Sequence, residues 1–131
     1  MVTDNDPQPK PVRSIGSSKQ DLRAFTEDVR LRIGGALWEA QLGGKAPRAK
    51  PLRGFGGAGV LEIVDDDDGD TYRAIYTVRF HYAVYVLHAS RKKPKSGIAT
   101  PRHEIVLIEQ CLKRAQEDHD LWLDMMKTAS R

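Results

Sequence analysis

Apolar side chains in the first third of the chain recur every three or four residues. The positions are Leu22, Phe25, Val29, Ile33, Leu37 and Ala40, and this spacing places them on one face of a helix. Thr26 precedes two acidic residues, as an N-cap does, so we expect a short helix, a break at Thr26 and a longer second helix. The pair Gly43 and Gly44 predicts where the second helix ends. Before these helices, residues 10–15 suit an edge strand because they contain a proline.

From residue 60 onward the pattern changes to that of strands. Residues 60–64 are mostly apolar, and residues 71–80 alternate between apolar and polar side chains, as a half-buried strand does. One face of that strand is predicted to carry Tyr72, Ala74, Tyr76, Val78 and Phe80. An Asp-Gly pair within the acidic run 65–70 predicts a tight hairpin. A turn at residues 81–82 leads to a third strand over residues 83–90, which completes an antiparallel meander.

A third helix is predicted towards the C-terminus. Thr100 and Pro101 form a strong helix start, an N-cap followed by proline at the first helical position. The apolar stripe behind them comprises Ile105, Ile108, Leu112 and Ala115, and its register can continue through His119, Trp122 and Met126. The element order β-α-α-β-β-β-α predicts an α+β fold, with helices packed on one antiparallel sheet.

The same pattern divides the chain into three parts. Residues 1–10 are polar and indicate a disordered tail, residues 11–118 form the domain, and residues 119–131 form a C-terminal helical extension. The apolar residues at 121–126 either pack on the sheet or offer a surface for self-association, for which Trp and Met are suited.

Composition narrows the class of protein. The 131 residues suit one domain, and no apolar run approaches the ~18 residues of a membrane-spanning helix. The polar N-terminus lacks the apolar core of a secretory signal. Cys111 is the single cysteine, which excludes an intramolecular disulfide and a multi-cysteine zinc site, and the histidines lack metal-ligand spacing. We therefore expect a cytoplasmic protein with no metal, no cofactor and no membrane partner.

Positive charge is concentrated in two segments, although the formal net charge is only +3. Residues 45–53 hold Lys45, Arg48, Lys50 and Arg53, and residues 91–102 hold Arg91, Lys92, Lys93, Lys95 and Arg102, with no acid in either segment. The rest of the chain is therefore net acidic. Basic segments on an acidic chain indicate a phosphate-binding face.

Arg73 is predicted to lie beside the second basic segment. With a turn at residues 81–82, antiparallel pairing places Arg73 opposite Ser90, next to the lysine-rich loop that follows. A guanidinium held on a strand beside lysines can bind a phosphodiester and neutralise charge in its transition state. Like-charge repulsion can also lower the pKa of one lysine, as RNA cleavage by a 2′-hydroxyl requires. The alternative is a solvated basic loop without chemistry.

Two residues could supply a general base. Glu62 lies on a strand, where it is otherwise solvated or salt-bridged; His88 lies near the basic loop, where a structural histidine is the alternative.

The glycine-rich segment 54–59 is not a P-loop, because no Gly-Lys-Ser/Thr follows it, and it leaves Arg53 free to touch phosphate. The acidic run 65–68 lacks a calcium-binding pattern and indicates a solvated turn.

Three segments of the chain resemble a known family. They are LRGFGGAGVLEIV (52–64), GDTYRAIY (69–76) and VYVLHASRKKPK (84–95), the last followed by IATP (98–101). In this order they resemble the phage-derived branch of the RelE/HigB toxin superfamily, over about residues 12–118. The resemblance implies the same β-α-α-β-β-β-α fold and a toxin of a type II toxin–antitoxin system. Such a toxin is a metal-independent endoribonuclease that cuts mRNA in the ribosomal A site and is neutralised by a small helix-turn-helix antitoxin.

The resemblance also implies roles for individual residues. Arg73 matches the strand arginine that contacts the scissile phosphate, and Lys92 and Lys93 match the basic residues after the last strand. One of these lysines is expected to protonate the leaving 5′-oxygen or stabilise its charge. The residues expected to grip the RNA backbone are Lys50, Arg53, Arg91 and Lys95. The rival interpretation is a catalytically inactive module on the same fold that binds RNA or a partner protein.

Overall fold

The computed structural model describes residues 8–55, 57, 59–92 and 101–129. Its elements in chain order are β1 (Val12–Ser14), α1 (Ser18–Arg23), α2 (Glu27–Gln41), β2 (Lys50–Pro51), β3 (Val60–Asp67), β4 (Asp70–Thr77), β5 (Val84–Lys92) and α3 (Arg102–Ala129). The α+β class and the predicted order are confirmed. The one addition is β2, whose two residues are too few to leave a periodic pattern. The described residues begin at position 8, so most of the predicted tail lies outside them.

All five strands form one sheet in the order β1-β5-β4-β3-β2. The meander β3-β4-β5 is antiparallel as predicted, and β2 joins it antiparallel to β3. The edge strand β1 instead runs parallel to β5, with Val12 opposite Val84, which corrects the expectation of a wholly antiparallel sheet. No hairpin fixes the direction of β1, because two helices and three strands separate it from β5 along the chain.

Helices cover both faces of the sheet. Buried residues of α2, such as Val29 and Ile33, pack against Ile63 and Tyr72 on one face, called here the α2 face. On the opposite face, the α3 face, Ile108 of α3 packs with the other cluster of buried strand residues. Among the described residues no helix combines the length and the apolar character needed to cross a bilayer.

The β3–β4 hairpin turns at Asp68 and Gly69, whose φ angles are both positive, 49° for Asp68 and 84° for Gly69. Two positive φ values define the turn that Asp-Gly pairs favour. Before the turn, the acidic run differs from the predicted solvated segment. Asp65 is 5% exposed, and its carboxylate binds Arg32 of α2 at 2.5 Å and Arg48 at 3.2 Å. Strand alternation explains this, because β3 extends to Asp67 and directs Asp65 towards the α2 face.

The end of β4 also departs from the prediction. The strand stops at Thr77, so the alternation does not carry Phe80 to the same face as Tyr72. Phe80 packs instead in the cluster on the α3 face, because the chain leaves the strand before reaching it. Val78 packs against the α2 face as predicted.

Helix α3 is a single helix of 28 residues. The carbonyl of Pro101 accepts hydrogen bonds from the N–H groups of Glu104 and Ile105, whereas Thr100 lies outside the described residues. The buried stripe of the helix is Glu104, Ile108, Cys111, Ala115 and His119. The predicted boundary at residue 118 therefore falls within this helix, immediately before a buried histidine.

A polar network fastens β1 and β5 to α3. Arg13 binds Asp118 at 2.7 Å, and the Tyr85 hydroxyl donates a 2.6 Å hydrogen bond to the same carboxylate. These two contacts hold the pKa of Asp118 below its usual range. The Arg13 guanidinium also lies 5.5 Å from the centre of the Trp122 ring.

Replacing Tyr76 with phenylalanine should leave the free energy of unfolding unchanged or raise it by about 1 kcal/mol. The Tyr76 side chain is fully buried, and its hydroxyl has no hydrogen-bond partner among the residues that the structure describes. Burial raises its pKa to about 12. Tyr85→Phe is the matched control, because that change removes a hydroxyl with a partner and should destabilise. Urea unfolding measures both, and a loss of stability in Tyr76→Phe equal to that of Tyr85→Phe would contradict the prediction.

Candidate functional site

A β-bulge in β5 determines which side chains share the α3 face. Near the β4–β5 loop, Tyr76 pairs with Val86, whereas the preceding residue, Ile75, pairs with His88. Leu87 is therefore the extra residue, and it reverses the alternation of β5 beyond it. As a result, His88 follows Leu87 onto the α3 face instead of pointing to the opposite one.

The bulge places a polar row beside Arg73. Arg73 pairs with Ser90, which confirms the predicted register; regular pairing from the loop would have placed Ala89 there. His88, Ser90 and Lys92 alternate along β5 and share the face of Arg73. The imidazole of His88, the hydroxyl of Ser90 and the ammonium of Lys92 therefore all lie within two residue pairs of the Arg73 guanidinium along β4 and β5.

One end of this face is accessible to a large ligand. Val64 pairs with Arg73 from the other side, on β3, and is 38% exposed. Isolated exposed valines are common, but this one is paired directly with Arg73, which is itself half-buried. The Val64 side is therefore the direction from which we expect a phosphate group to reach the guanidinium.

Helix α3 adds Glu104 to the row, a residue that the sequence analysis missed. Its carboxylate Oε1 lies 3.0 Å from Lys92 Nζ and 4.0 Å from His88 Nε2. The Glu104 side chain is only 10% exposed. The sequence did contain an indication, because Glu104 precedes Ile108 by four residues and so belongs to the stripe that faces the sheet.

Three buried polar atoms in this cluster have no hydrogen-bond partner among the described residues: His88 Nε2, Ser90 Oγ and Glu104 Oε2. Native proteins satisfy nearly all buried polar groups, so several such atoms in one place need an explanation. A polar ligand that donates and accepts hydrogen bonds would supply the missing partners.

His88 is held in its neutral form. Burial lowers the pKa of its imidazole below the ordinary value, although the carboxylates of Glu104 and Asp21 oppose that shift. A neutral imidazole can accept a proton at neutral pH, which a protonated one cannot.

Glu62 and Lys50 lie on the same face as the polar row, but on the other side of β4 from His88. They pair with each other across β2 and β3, and Ile75 on β4 separates Glu62 from His88. Two strand spacings amount to about 9.5 Å. The structure therefore keeps Glu62 apart from His88 and gives it a basic neighbour on the sheet edge.

The remaining predicted basic residues are divided among different surfaces. Arg91 pairs in register with Tyr72, so it lies on the α2 face, where it binds Asp70 at 2.7 Å and stacks over the Tyr72 ring. Arg53 is exposed in the loop after β2. Lys93 and Lys95 lie outside the described residues, as does most of the basic loop.

No group of three or more metal-ligating side chains occurs among the described residues. Asp65, Asp66 and Asp67 belong to a strand that alternates its side chains between two faces. Within this part of the chain, the polar row with Arg73 is the cluster that combines cations, a neutral base and unsatisfied buried atoms.

The fold and the site define a small α+β protein with a cationic, histidine-containing cluster on one face of its sheet. A family model described as "Phage derived protein Gp49-like (DUF891)" matches residues 20–113. The match covers more than half of the chain, so the chain belongs to this family. It confirms the phage-derived branch that the sequence motifs indicated.

Two solved structures are similar to the chain. One is a double arginine-to-alanine mutant of the E. coli toxin RelE in the free state, with 19% identity, a TM-score of 0.49, and coverage of 81% of this chain and 97% of that chain. The other belongs to the toxin–antitoxin complex RelBE2 of Mycobacterium tuberculosis, with 24% identity, a TM-score of 0.37, and coverage of 64% and 92% respectively. No curated protein sequence matches.

Proposed function

We propose that the chain is the toxin of a toxin–antitoxin system and an endoribonuclease that cuts mRNA without a metal ion. The observation that carries this proposal is the polar row on the α3 face, where Arg73 lies opposite Ser90 and next to Lys92 and His88 on one strand pair. Membership of the Gp49-like family and the motifs shared with RelE/HigB toxins support the same conclusion.

In the proposed reaction the ribose 2′-oxygen forms a bond to the adjacent phosphorus, and the bond from phosphorus to the 5′-oxygen breaks. The neutral imidazole of His88 accepts the proton of the 2′-hydroxyl. Arg73 binds the phosphate and neutralises the charge that develops on its oxygens. The leaving 5′-oxygen takes a proton from the ammonium of Lys92 or of Lys93. A 2′,3′-cyclic phosphate and a 5′-hydroxyl end result.

His88 is favoured over Glu62 as the base because burial lowers the pKa of its imidazole and because Lys92, a candidate acid, lies on the same strand. Glu62 lies on another strand beside Lys50. Lys50 and Arg53 would instead contact the RNA backbone at that edge of the sheet. Lys95 is a further candidate on sequence grounds, whereas Arg91 would contact RNA only from the opposite face, where it binds Asp70.

The ribosomal A site would present the mRNA, and a helix-turn-helix antitoxin would neutralise the toxin in the cytoplasm. The C-terminal part of α3 is a candidate surface for self-association. Its exposed apolar side chains are Leu121, Met125 and Met126.

Expression in a bacterium tests the proposal directly. We expect growth arrest together with mRNA 5′ ends that map in phase with codons on ribosome-bound messages. If growth continues and no cleavage occurs, but the purified chain binds RNA in a salt-sensitive manner, the rival is correct: an inactive RNA-binding module on the same fold.

The pH dependence of cleavage should reflect the lowered pKa of His88. A base acts in its deprotonated form, so the midpoint of the acidic limb should lie below about pH 6.5, the ordinary histidine pKa. His88→Asn should lower the rate by about 10²- to 10³-fold and abolish this acidic limb. A limb centred above 6.5 in the wild-type chain, or one retained in His88→Asn, would exclude His88 as the base.

A further inference from the structure

We propose that Glu104 is a positioning residue of this site, whose carboxylate holds the Lys92 ammonium and orients the His88 imidazole for proton transfer. The inference rests on the proposed cleavage reaction. It assigns a role to a residue of α3, whereas Arg73, His88 and Lys92 all belong to the sheet.

The contacts of Glu104 go beyond those of an ordinary salt bridge. One oxygen, Oε1, is 3.0 Å from Lys92 Nζ, which compensates the charge of a side chain that is nine-tenths buried. That oxygen is also 4.0 Å from His88 Nε2. Within the part of the chain that the structure describes, the buried atoms His88 Nε2 and Glu104 Oε2 have no hydrogen-bond partner. A tether between helix and sheet would need the lysine alone. The unsatisfied pair shows that the carboxylate has capacity for a second partner.

The imidazole is the partner that fits. Hydrogen bonds in a catalytic site are often long before substrate binds, and they shorten in the complex. If His88 Nε2 donates its proton to Glu104, the tautomer is fixed and Nδ1 carries the lone pair that accepts the 2′-hydroxyl proton. Glu104 then stabilises the imidazolium that forms. Glu104 itself exchanges no proton in this role.

The same carboxylate gives Lys92 and His88 different roles. It holds the Lys92 ammonium close to β5, where the ammonium can donate to the leaving oxygen. It also opposes the effect of burial on His88. The groups that face His88 are Glu104 and His103 of α3, Asp21 of α1 and Lys92 of β5; the two carboxylates raise its pKa and the other two groups lower it. Loss of the Glu104 charge should therefore lower the pKa of His88 further.

Glu104→Gln is the decisive variant, because glutamine keeps the shape of the side chain and removes only its charge. Glu109→Gln is the matched control, since Glu109 is an exposed residue of the same helix. Cleavage of mRNA on purified ribosomes is followed from pH 5 to 8, and the imidazole of His88 in the full chain is titrated by NMR, with His88→Asn used to assign its signal.

In Glu104→Gln we expect kcat to fall about 10- to 100-fold with little change in KM. The acidic limb of the rate profile and the NMR pKa of His88 should both shift to lower pH. Glu109→Gln should match the wild-type chain in all three measurements. These shifts distinguish positioning from a structural role, because a helix tether would change the melting temperature and leave the acidic limb in place.

A wild-type rate in Glu104→Gln with an unchanged acidic limb would overturn the inference and leave the proposed function standing. A loss of rate without either shift would also overturn it, because Glu104 would then act in folding alone. If the wild-type chain itself cleaves no mRNA, the proposed function fails, and the role of Glu104 fails with it.

Discussion

Replacing Arg73 with alanine should lower the rate of mRNA cleavage by about 10³-fold. Arg73 is the one strand-held guanidinium of the polar row, in register with Ser90. In the proposed reaction it faces the phosphate on which negative charge accumulates, and loss of a pre-positioned donor of this kind typically costs about 10²- to 10³-fold or more. The effect should fall on kcat, because the charge is greater in the transition state than in the bound substrate.

Two further variants determine whether the loss arises from geometry, from charge or from the fold. Arg73→Lys keeps the charge but cannot make two parallel hydrogen bonds to phosphate, so we expect an intermediate rate. Arg30→Ala removes an exposed arginine from α2, on the other side of the sheet, and should cleave like the wild-type chain. Thermal melting confirms that each variant is folded. Codon-phased cleavage at more than half the wild-type rate in a folded Arg73→Ala would contradict the assigned role.

The sequence predicted the partner of Arg73 correctly, but for an incomplete reason. Counting back from a turn at residues 81–82 places Arg73 opposite Ser90. In the structure Thr77 pairs with Tyr85 near the loop, so the turn is one residue shorter than predicted. The bulge adds one residue to β5, and beyond it the pairing agrees again with the predicted register. A bulge inserts a residue without interrupting the apolar pattern of a buried strand, so the alternation of β5 could not reveal it.

The sequence could not predict the surroundings of residues whose partners are distant along the chain. Asp65 continues the inward alternation of β3, but its burial requires Arg32 and Arg48 from elsewhere in the chain. Local composition likewise grouped Arg91 with Lys92, whereas the pleat directs these neighbours to opposite faces. A run of basic residues in the sequence therefore indicates a positively charged segment, but it does not show which side chains share a face.

Glu104 shows the same limit for a helix. The predicted stripe of α3 began at Ile105, and a shift of one residue rotates a helix face by about 100°. The observed stripe includes Glu104 because of the way in which α3 crosses the sheet. The element itself was predictable from Pro101 and the helical period. The four-residue spacing to Ile108 could place Glu104 on the buried stripe, but not its contact with Lys92 on β5.

Ending the chain after Asp118 should lower the melting temperature by about 10 °C, corresponding to roughly 3 kcal/mol. The truncation keeps the Asp118 network but removes His119 and Trp122 from α3. His119 is 5% exposed, and its ring lies 5.0 Å from that of Phe80 and 6.1 Å from that of Trp122. Loss of both rings uncovers the apolar end of the α3 face, so residues 119–131 should be a part of the domain core and not a dispensable extension.

Ending the chain after Lys127 is the matched control, because it shortens the same helix but keeps both rings. Its melting temperature should remain within about 2 °C of the full chain, since changes at an exposed helix end usually contribute less than about 0.5 kcal/mol. Circular dichroism melts of the three chains at equal concentration make the comparison. If the chain ending at Asp118 melts with the full chain, the aromatic contacts contribute nothing and the extension is separable. If the chain ending at Lys127 is destabilised equally, helix length matters and not the contacts of His119 and Trp122.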